Sequence, residues 1–406
     1  MRFKNGVMYE RYMPVALVYL VKLAIVCVAI LTGGLAAVHA ADNPYYDPAK
    51  AHHTPHGFRN PVSGVMNKPL SDLLRWNWEA WREGLPPAPK APTPQVEKPD
   101  LARLHAYLRS DSEIKRVNVS FSADAPARTV PTVTWMGHAT LLVQSGGLNV
   151  LTDPIFSERA SPVQFAGPKR ARPPGVALDD LPPIDVVVIS HNHYDHLDRN
   201  SVVALDAHAR QRGASTLFLV PLGQKPWFAS VGITHVVELD WWQKHVVRGV
   251  EFHLTPVQHW SARGISDRSQ TLWGGWSVLA PDLHWYFGGD TGYSRDFADT
   301  RLHFANRQTP AQGGGFDLAL IPVGAYEPRW FMREQHINPL EAVQVHLDLG
   351  AKHSIGMHWG TFTLTDEALD QPPQDLAAAK REKGVSDTDF SLMKIGETRQ
   401  LPARAP

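Results

Sequence analysis

The chain of 406 residues contains a single cysteine, Cys27, so neither a disulfide framework nor a zinc–thiolate cluster is open to it. It also lacks net charge: 40 Lys+Arg stand against 40 Asp+Glu, with no basic block. That balance argues against an electrostatic nucleic-acid binder. Long apolar runs are scarce. The one near the amino terminus, Pro14 to Ala41, is broken by Lys22, and the piece after it is short for a membrane span of about 20 residues. What the chain has in excess is histidine, 20 in all, together with 13 tryptophans; an apolar share of 43% excludes wholesale disorder. With cysteine excluded, any transition-metal site must be built from imidazole and carboxylate ligands.

Residues 1–40 read as a targeting segment. Arg2, Lys4 and Arg11 precede the apolar run, Leu23–Ala37 has the length of a secretory h-region, and Val38-His39-Ala40 offers a small-residue cleavage site. The expectation is export, with a mature chain beginning near Ala41 in the periplasm or at a membrane. An uncleaved anchor using the whole stretch from Pro14 is the alternative. Cys27 lacks the preceding small residue that a lipoprotein signal would need.

Residues 41–125 form an extension of different composition, rich in aromatic residues, His and Pro. Within it Leu70, Leu73, Leu74, Trp78, Trp81 and Leu85 fall at helical spacing. The plainer reading packs that Trp-heavy face on the main domain; the other turns it toward lipid. Pro86 through Pro99 follows as a semi-rigid connector.

From Val130 onward the pattern is α/β. Thr132–Trp135, Ala139–Val143, Leu148–Leu151, Asp185–Ile189, Leu217–Val220, Val250–Leu254, Leu283–Phe287, Leu318–Pro322 and Ser354–Gly356 read as strands, and Ser201–Arg212 as a helix stopped by Gly213. Two sheets with helices outside fit this order, and the pattern alone does not choose them over a doubly wound sheet.

Chemistry concentrates directly after the Asp185–Ile189 run. Ser190-His191-Asn192-His193-Tyr194-Asp195-His196 places four candidate ligands within six residues, and a tight loop at a strand end can aim them at two neighbouring metals. His259, Asp290 and His358 each follow a further strand, where α/β sheets build their sites. Seven such residues supply two three-ligand sets plus one carboxylate to bridge them, an inventory for two zinc ions.

The chain resembles the N-acyl-phosphatidylethanolamine-hydrolysing phospholipase D family of the metallo-β-lactamase superfamily. The resemblance runs from about Gly137 to Phe390 and is carried by Gly137-His138-Ala139-Thr140, Leu151-Thr152-Asp153-Pro154, Leu239-Asp240-Trp241-Trp242, Gly289-Asp290-Thr291-Gly292-Tyr293, Gly324 through Met332, and His358-Trp359-Gly360-Thr361-Phe362. It implies a four-layered αββα sandwich over residues 126–401. It also implies two zinc ions per chain, with His191, His193 and His259 on one, Asp195, His196 and His358 on the other, and Asp290 bridging. Gln335-His336 would face the substrate phosphate, giving Asp290, His336 and Gln335 as the catalytic group. The loop holding Gln164 and Phe165 would lie beside that phosphate, and Phe165 lacks the hydroxyl of the Tyr usual in the family.

The implied reaction is hydrolysis of N-acyl-phosphatidylethanolamine to N-acylethanolamine and phosphatidic acid, with a phospholipid and a membrane surface as partners. Nucleic acid is not expected, and a homodimer stays open. Asp153 and Asp240 are candidates to orient metal-bound rings. Lys169 and Arg170 either meet phosphate or are solvated charges; His346 and His353 read as ordinary helix or turn residues. Trp227, Trp241, Trp242, Trp260 and Trp330 either wall a lipid groove or belong to the core. Competing functions are another hydrolase of the same fold, such as a lactonase, and a non-catalytic periplasmic lipid- or metal-binding protein.

Overall fold

A computed structural model describes residues 42–64, 66, 68–105, 107, 130–264 and 266–404. The targeting segment read in residues 1–40 lies outside the described residues. Among the described residues, no helix is long and apolar enough to cross a membrane.

A short hairpin, β1 (His53–Thr54) and β2 (Gly57–Phe58), opens the described chain. Two seven-stranded sheets follow. The first runs in the order β16 (Thr398–Gln400), β3 (Thr132–Gly137), β4 (Thr140–Ser145), β5 (Leu148–Thr152), β6 (Val186–Val188), β7 (Leu217–Pro221) and β8 (Val236–Leu239). The second runs β15 (Phe390–Leu392), β14 (His353–Met357), β13 (Leu318–Pro322), β12 (Leu283–Phe287), β11 (Gly275–Ala280), β10 (Val250–Thr255) and β9 (Lys244–Val247).

Side-chain alternation sets the layers. In β6, Val186 and Val188 join the main core with β10–β14 residues such as Phe252, Trp276 and Leu320. Val187 points the other way, into a second core shared with Val202 and Leu205 of the helix Arg199–Gln211. Helices Pro339–Leu349 and Gln371–Lys383 pack their apolar faces into the main core alongside the second sheet. The result is helix, sheet, sheet, helix, the four-layered arrangement rather than a doubly wound sheet.

Parallel pairing of β5, β6 and β7, and of β12, β13 and β14, makes their carboxyl ends emerge together. The loops leaving those ends carry the candidate ligands. Three non-glycine residues just past the strands that lead into these loops adopt left-handed backbone: His138 (φ 53°), Asp153 (φ 30°) and His358 (φ 61°). Such conformations cost free energy and persist only where the surroundings hold them. Gly289 (φ 56°) is required on both counts, since a Cβ there would lie 2.5 Å from Ser190 Cβ.

The extension is docked. Helix Leu70–Glu83 packs through Trp76, whose Nε1 donates to Asp366 (2.7 Å) and whose ring lies 4.9 Å from Phe331. Ala80 is its buried residue. Leu70, Leu74, Trp78, Trp81 and Leu85 are 41–65% exposed, so the apolar stripe read from the sequence is not the packed face. The Pro-rich connector is also attached, with Glu97 N donating to Ile395 O at 2.8 Å.

Candidate metal centre

Two groups of ligand atoms face each other where the loops converge. In the first, His193 Nδ1 lies 2.8 Å from His191 Nε2 and 3.4 Å from His259 Nε2. In the second, His196 Nε2 and His358 Nε2 are 3.2 Å apart, and each is 3.4 Å from Asp195 Oδ2. Asp290 stands between them. Its Oδ1 is 3.1 Å from His358 Nε2, and its Oδ2 is 3.1 Å from His196 and 3.9 Å from both His191 and His259. Tetrahedral ligands at about 2.0–2.1 Å from a metal sit roughly 3.3 Å from one another. The second group with Asp290 has that spacing on every edge named.

Ring orientation is dictated by neighbours. His259 Nδ1 donates to the backbone carbonyl of Gln335 at 2.9 Å, which leaves Nε2 as a bare acceptor pointing inward. Ser190 Oγ donates to Asp153 at 2.5 Å, so it accepts from His191 Nδ1 (2.9 Å) and sets the same tautomer. His196 Nδ1 is held by Asp153 at 2.6 Å. Asp153 thus orients the His196 ring. Asp290 Oδ1 and His336 Nδ1 are buried without a hydrogen-bond partner. Inward-facing imidazole acceptors around a buried carboxylate oxygen with no hydrogen-bond partner, Oδ1 of Asp290, are the environment a divalent cation satisfies, so these residues fit a metal centre.

The electrostatics differ between the groups. Burial lowers His191 and His259 well below the ordinary histidine value and His193 to about 4, so the first group is neutral. Burial also opposes protonation of His196 and His358, but Asp290 and Asp195 outweigh it, raising His196 well above its usual value and His358 to about 9. Asp290 is held well below the carboxylate range, against burial, by His196, His358 and His336.

Residues 148–359 match the β-lactamase superfamily domain. A Caenorhabditis elegans protein, N-acyl-phosphatidylethanolamine-hydrolyzing phospholipase D 1, is 42% identical over 277 residues, covering 65% of this chain and 74% of the relative. The chain belongs to the N-acyl-phosphatidylethanolamine-hydrolysing phospholipase D family. It is a metal-dependent hydrolase. A Saccharomyces cerevisiae relative, the mitochondrial N-acyl-phosphatidylethanolamine-hydrolyzing phospholipase D, is 34% identical over 65% of this chain and 55% of its own length. Among solved structures, a possible metal-dependent hydrolase from Veillonella parvula covers 67% of this chain and 100% of its own at TM-score 0.52 and 17% identity, a likeness of fold.

Other positions of this phospholipase D family member differ from the sequence reading. His336 joins the centre, its Nδ1 3.9 Å from Asp290 Oδ2, and forms a ligand-capable trio with His259 and Asp290. Gln335 contributes its backbone to His259, while its side-chain amide rests on Met332 Sδ at 3.3 Å. Gln164 is hydrogen-bonded to Arg159 within its own loop, and Phe165 is 84% exposed.

Asp240 orients no metal-bound ring. It accepts from His52, His53 and Lys50 of the extension, at 2.7, 3.0 and 2.6 Å. Arg170 is no phosphate contact either: it is buried, with its guanidinium donating to the carbonyls of Ser157 and Ile155. Lys169 lies 3.8 Å from Glu158 at the surface. The five tryptophans do not share a groove. Trp241 is core, Trp242 stacks on His303, Trp227 lies under Arg263, and Trp330 donates to Glu79. Trp260 alone touches a candidate ligand, with its ring 4.2 Å from His193.

Two functional neighbours escaped the sequence reading. His138, at the start of the β3–β4 turn, lies 3.0 Å from Asp195 Oδ2 through Nε2 and is pushed down to about 3 by burial and His358. Its place just past a strand end was the available signal. Arg263 donates through Nη1 to Asn192 O (2.8 Å) and Leu197 O (2.7 Å), tying together the two ends of the ligand loop.

Proposed function

We propose that this chain is a dinuclear zinc phosphodiesterase of phospholipase D type that hydrolyses N-acyl-phosphatidylethanolamine to N-acylethanolamine and phosphatidic acid. The observation that carries the reading is Asp290, whose two oxygens reach ligand atoms of both groups. One set is His191, His193 and His259; the other is Asp195, His196 and His358. Paired zinc ions, when bound, neutralise phosphodiester charge and bring the pKa of a water toward neutrality.

The chain's own residues supply the rest. Asp290 spans the two sets and fixes their separation. His336 is brought down to about 4, chiefly by burial, so it is a neutral imidazole at neutral pH. A neutral imidazole is a poor acid for an alkoxide but a good hydrogen-bond donor, so His336 holds a phosphoryl oxygen. The lipid head group is argued from the named activity of the nematode and yeast relatives, since metal ligands alone select no head group.

A lipid substrate also needs a lipid-facing surface. Leu70, Leu74, Trp78 and Trp81 form one exposed apolar stripe along helix Leu70–Glu83, and exposed Leu85 follows just past its end. Arg82 flanks it, stacked on Trp78 at 4.6 Å, and Arg75 lies over Trp330 at 4.2 Å. Apolar side chains edged by arginines suit a membrane interface with anionic phosphates. This stripe sits on the element packed against Phe331, five residues before His336.

The test is incubation of zinc-loaded, detergent-dispersed protein with N-acyl-phosphatidylethanolamine and, separately, phosphatidylcholine, with products read by mass spectrometry. Release of N-acylethanolamine and phosphatidic acid, faster than turnover of phosphatidylcholine, is the expected result. Cleavage of lactones or small phosphodiesters without any lipid turnover would overturn it in favour of another hydrolase of this fold.

A further inference from the structure

Among the described residues, the part of the extension from Asn43 to Met66 reaches the first ligand group along two independent routes, and no hydrogen bond or ring contact ties it to the second. Asn60 is buried, and its side chain grips the backbone of His259 from both sides: Oδ1 accepts from His259 N (3.2 Å) while Nδ2 donates to His259 O (2.9 Å). The second route starts at Met66, whose carbonyl accepts from Arg268 Nε at 2.5 Å. The Arg268 guanidinium lies 3.7 Å from the ring centre of Trp260, and Trp260 packs edge-on to His193 at 4.2 Å. His259 and His193 are both members of the first group.

The segment is anchored at its other end. Lys50, His52 and His53 converge on Asp240, and Phe58 N donates to Ser269 O at 2.8 Å with the Phe58 ring in the main core. His52, His53 and Asp240 have the chemistry of a metal site, but Lys50 already supplies the positive charge there. The cluster is a latch.

We infer that the segment Asn43–Met66 is a working part of the metal centre, with Asn60 as a positioning residue that fixes His259 and thereby sets metal affinity at the His191/His193/His259 group alone. The second group draws its support from within the catalytic domain, through His138, Asp153 and Thr361, the last of which accepts from His138 N at 2.8 Å.

This inference rests on the two-metal reading, and metal content separates the two. Zinc affinity is measured by competition with a chromophoric chelator in two backgrounds: His358→Ala, which leaves the first group intact, and His259→Ala, which leaves the second. Adding Asn60→Ala to His358→Ala should weaken the remaining zinc by about tenfold or more and shift the visible spectrum of its cobalt form. Adding it to His259→Ala should leave affinity unchanged. Equal weakening in both backgrounds, or none in either, overturns the inference. Should Asn60→Ala not be recovered folded, Arg268→Met breaks the second route and must show the same asymmetry or the inference fails. Wild-type protein that binds no zinc would instead remove the two-metal reading itself.

Discussion

Oδ2 of Asp153 lies 2.6 Å from Nδ1 of His196, in a position closed to solvent. The same carboxylate takes Ser190 N and Ser190 Oγ, and that hydroxyl orients His191. One side chain therefore sets a ring in each ligand group. Asp153→Asn presents an amide where three donors converge, so one contact becomes donor against donor. Zinc affinity should fall by about 10–100-fold, measured by chelator competition, with the fold monitored by circular dichroism.

Proton uptake distinguishes the groups. His358, raised to about 9, and His196, raised well above its usual value, carry protons in the metal-free protein at neutral pH, whereas His191, His193 and His259 do not. Metal entering the second group must displace those protons. Its affinity should fall about tenfold per pH unit for each proton displaced as pH drops below about 9, while the first group holds until pH nears 4. Calorimetry in buffers of different ionisation enthalpy reads the protons released.

The same shift has a sign for stability. A folded value above the unfolded one stabilises the metal-free fold fully below the ordinary 6.5, and that contribution is lost as pH rises through about 9. Melting temperature of chelator-treated protein should decline across that window.

His336→Ala should lower kcat by about 10²–10³ through loss of one donor to the phosphoryl group, with zinc content unchanged by elemental analysis. Loss of zinc along with rate would make His336 a ligand, a role its place beside His259 and Asp290 makes open to test.

Much of this architecture was legible locally. Nine apolar runs correspond to strands because buried β segments are short, continuous and bounded by turns, as Val186–Val188 shows. Strands β8, β9, β11, β15 and β16 escaped the reading: at the edges Lys244-His245-Val246-Val247 and Thr398-Arg399-Gln400 are largely polar and acquire strand character from a neighbour, whereas the buried, central β11 is as apolar as the runs that were read. The ligand loops were legible because each follows a strand. Asp240 was misread because its partners, His52 and His53, lie 188 and 187 residues away and nothing local announces them. For the same reason the Asn60 grip on His259 and the exposed orientation of the Trp78 stripe emerge only in three dimensions.

Trp78→Ser combined with Trp81→Ser removes the two most exposed rings of that stripe. Partitioning onto vesicles of anionic phospholipid should drop by about tenfold or more in a sedimentation assay, with turnover of detergent-dispersed lipid retained. Unchanged partitioning would show that another surface meets the membrane.

The central claim is attack by water at phosphorus within the Asp290-bridged centre. Hydrolysis of N-acyl-phosphatidylethanolamine in water enriched in oxygen-18 tests it most directly. The P–O bond to the ethanolamine oxygen breaks, so the account predicts the label in the phosphate of phosphatidic acid and none in the N-acylethanolamine. Label in the N-acylethanolamine, or release of labelled fatty acid in place of phosphatidic acid, would contradict it.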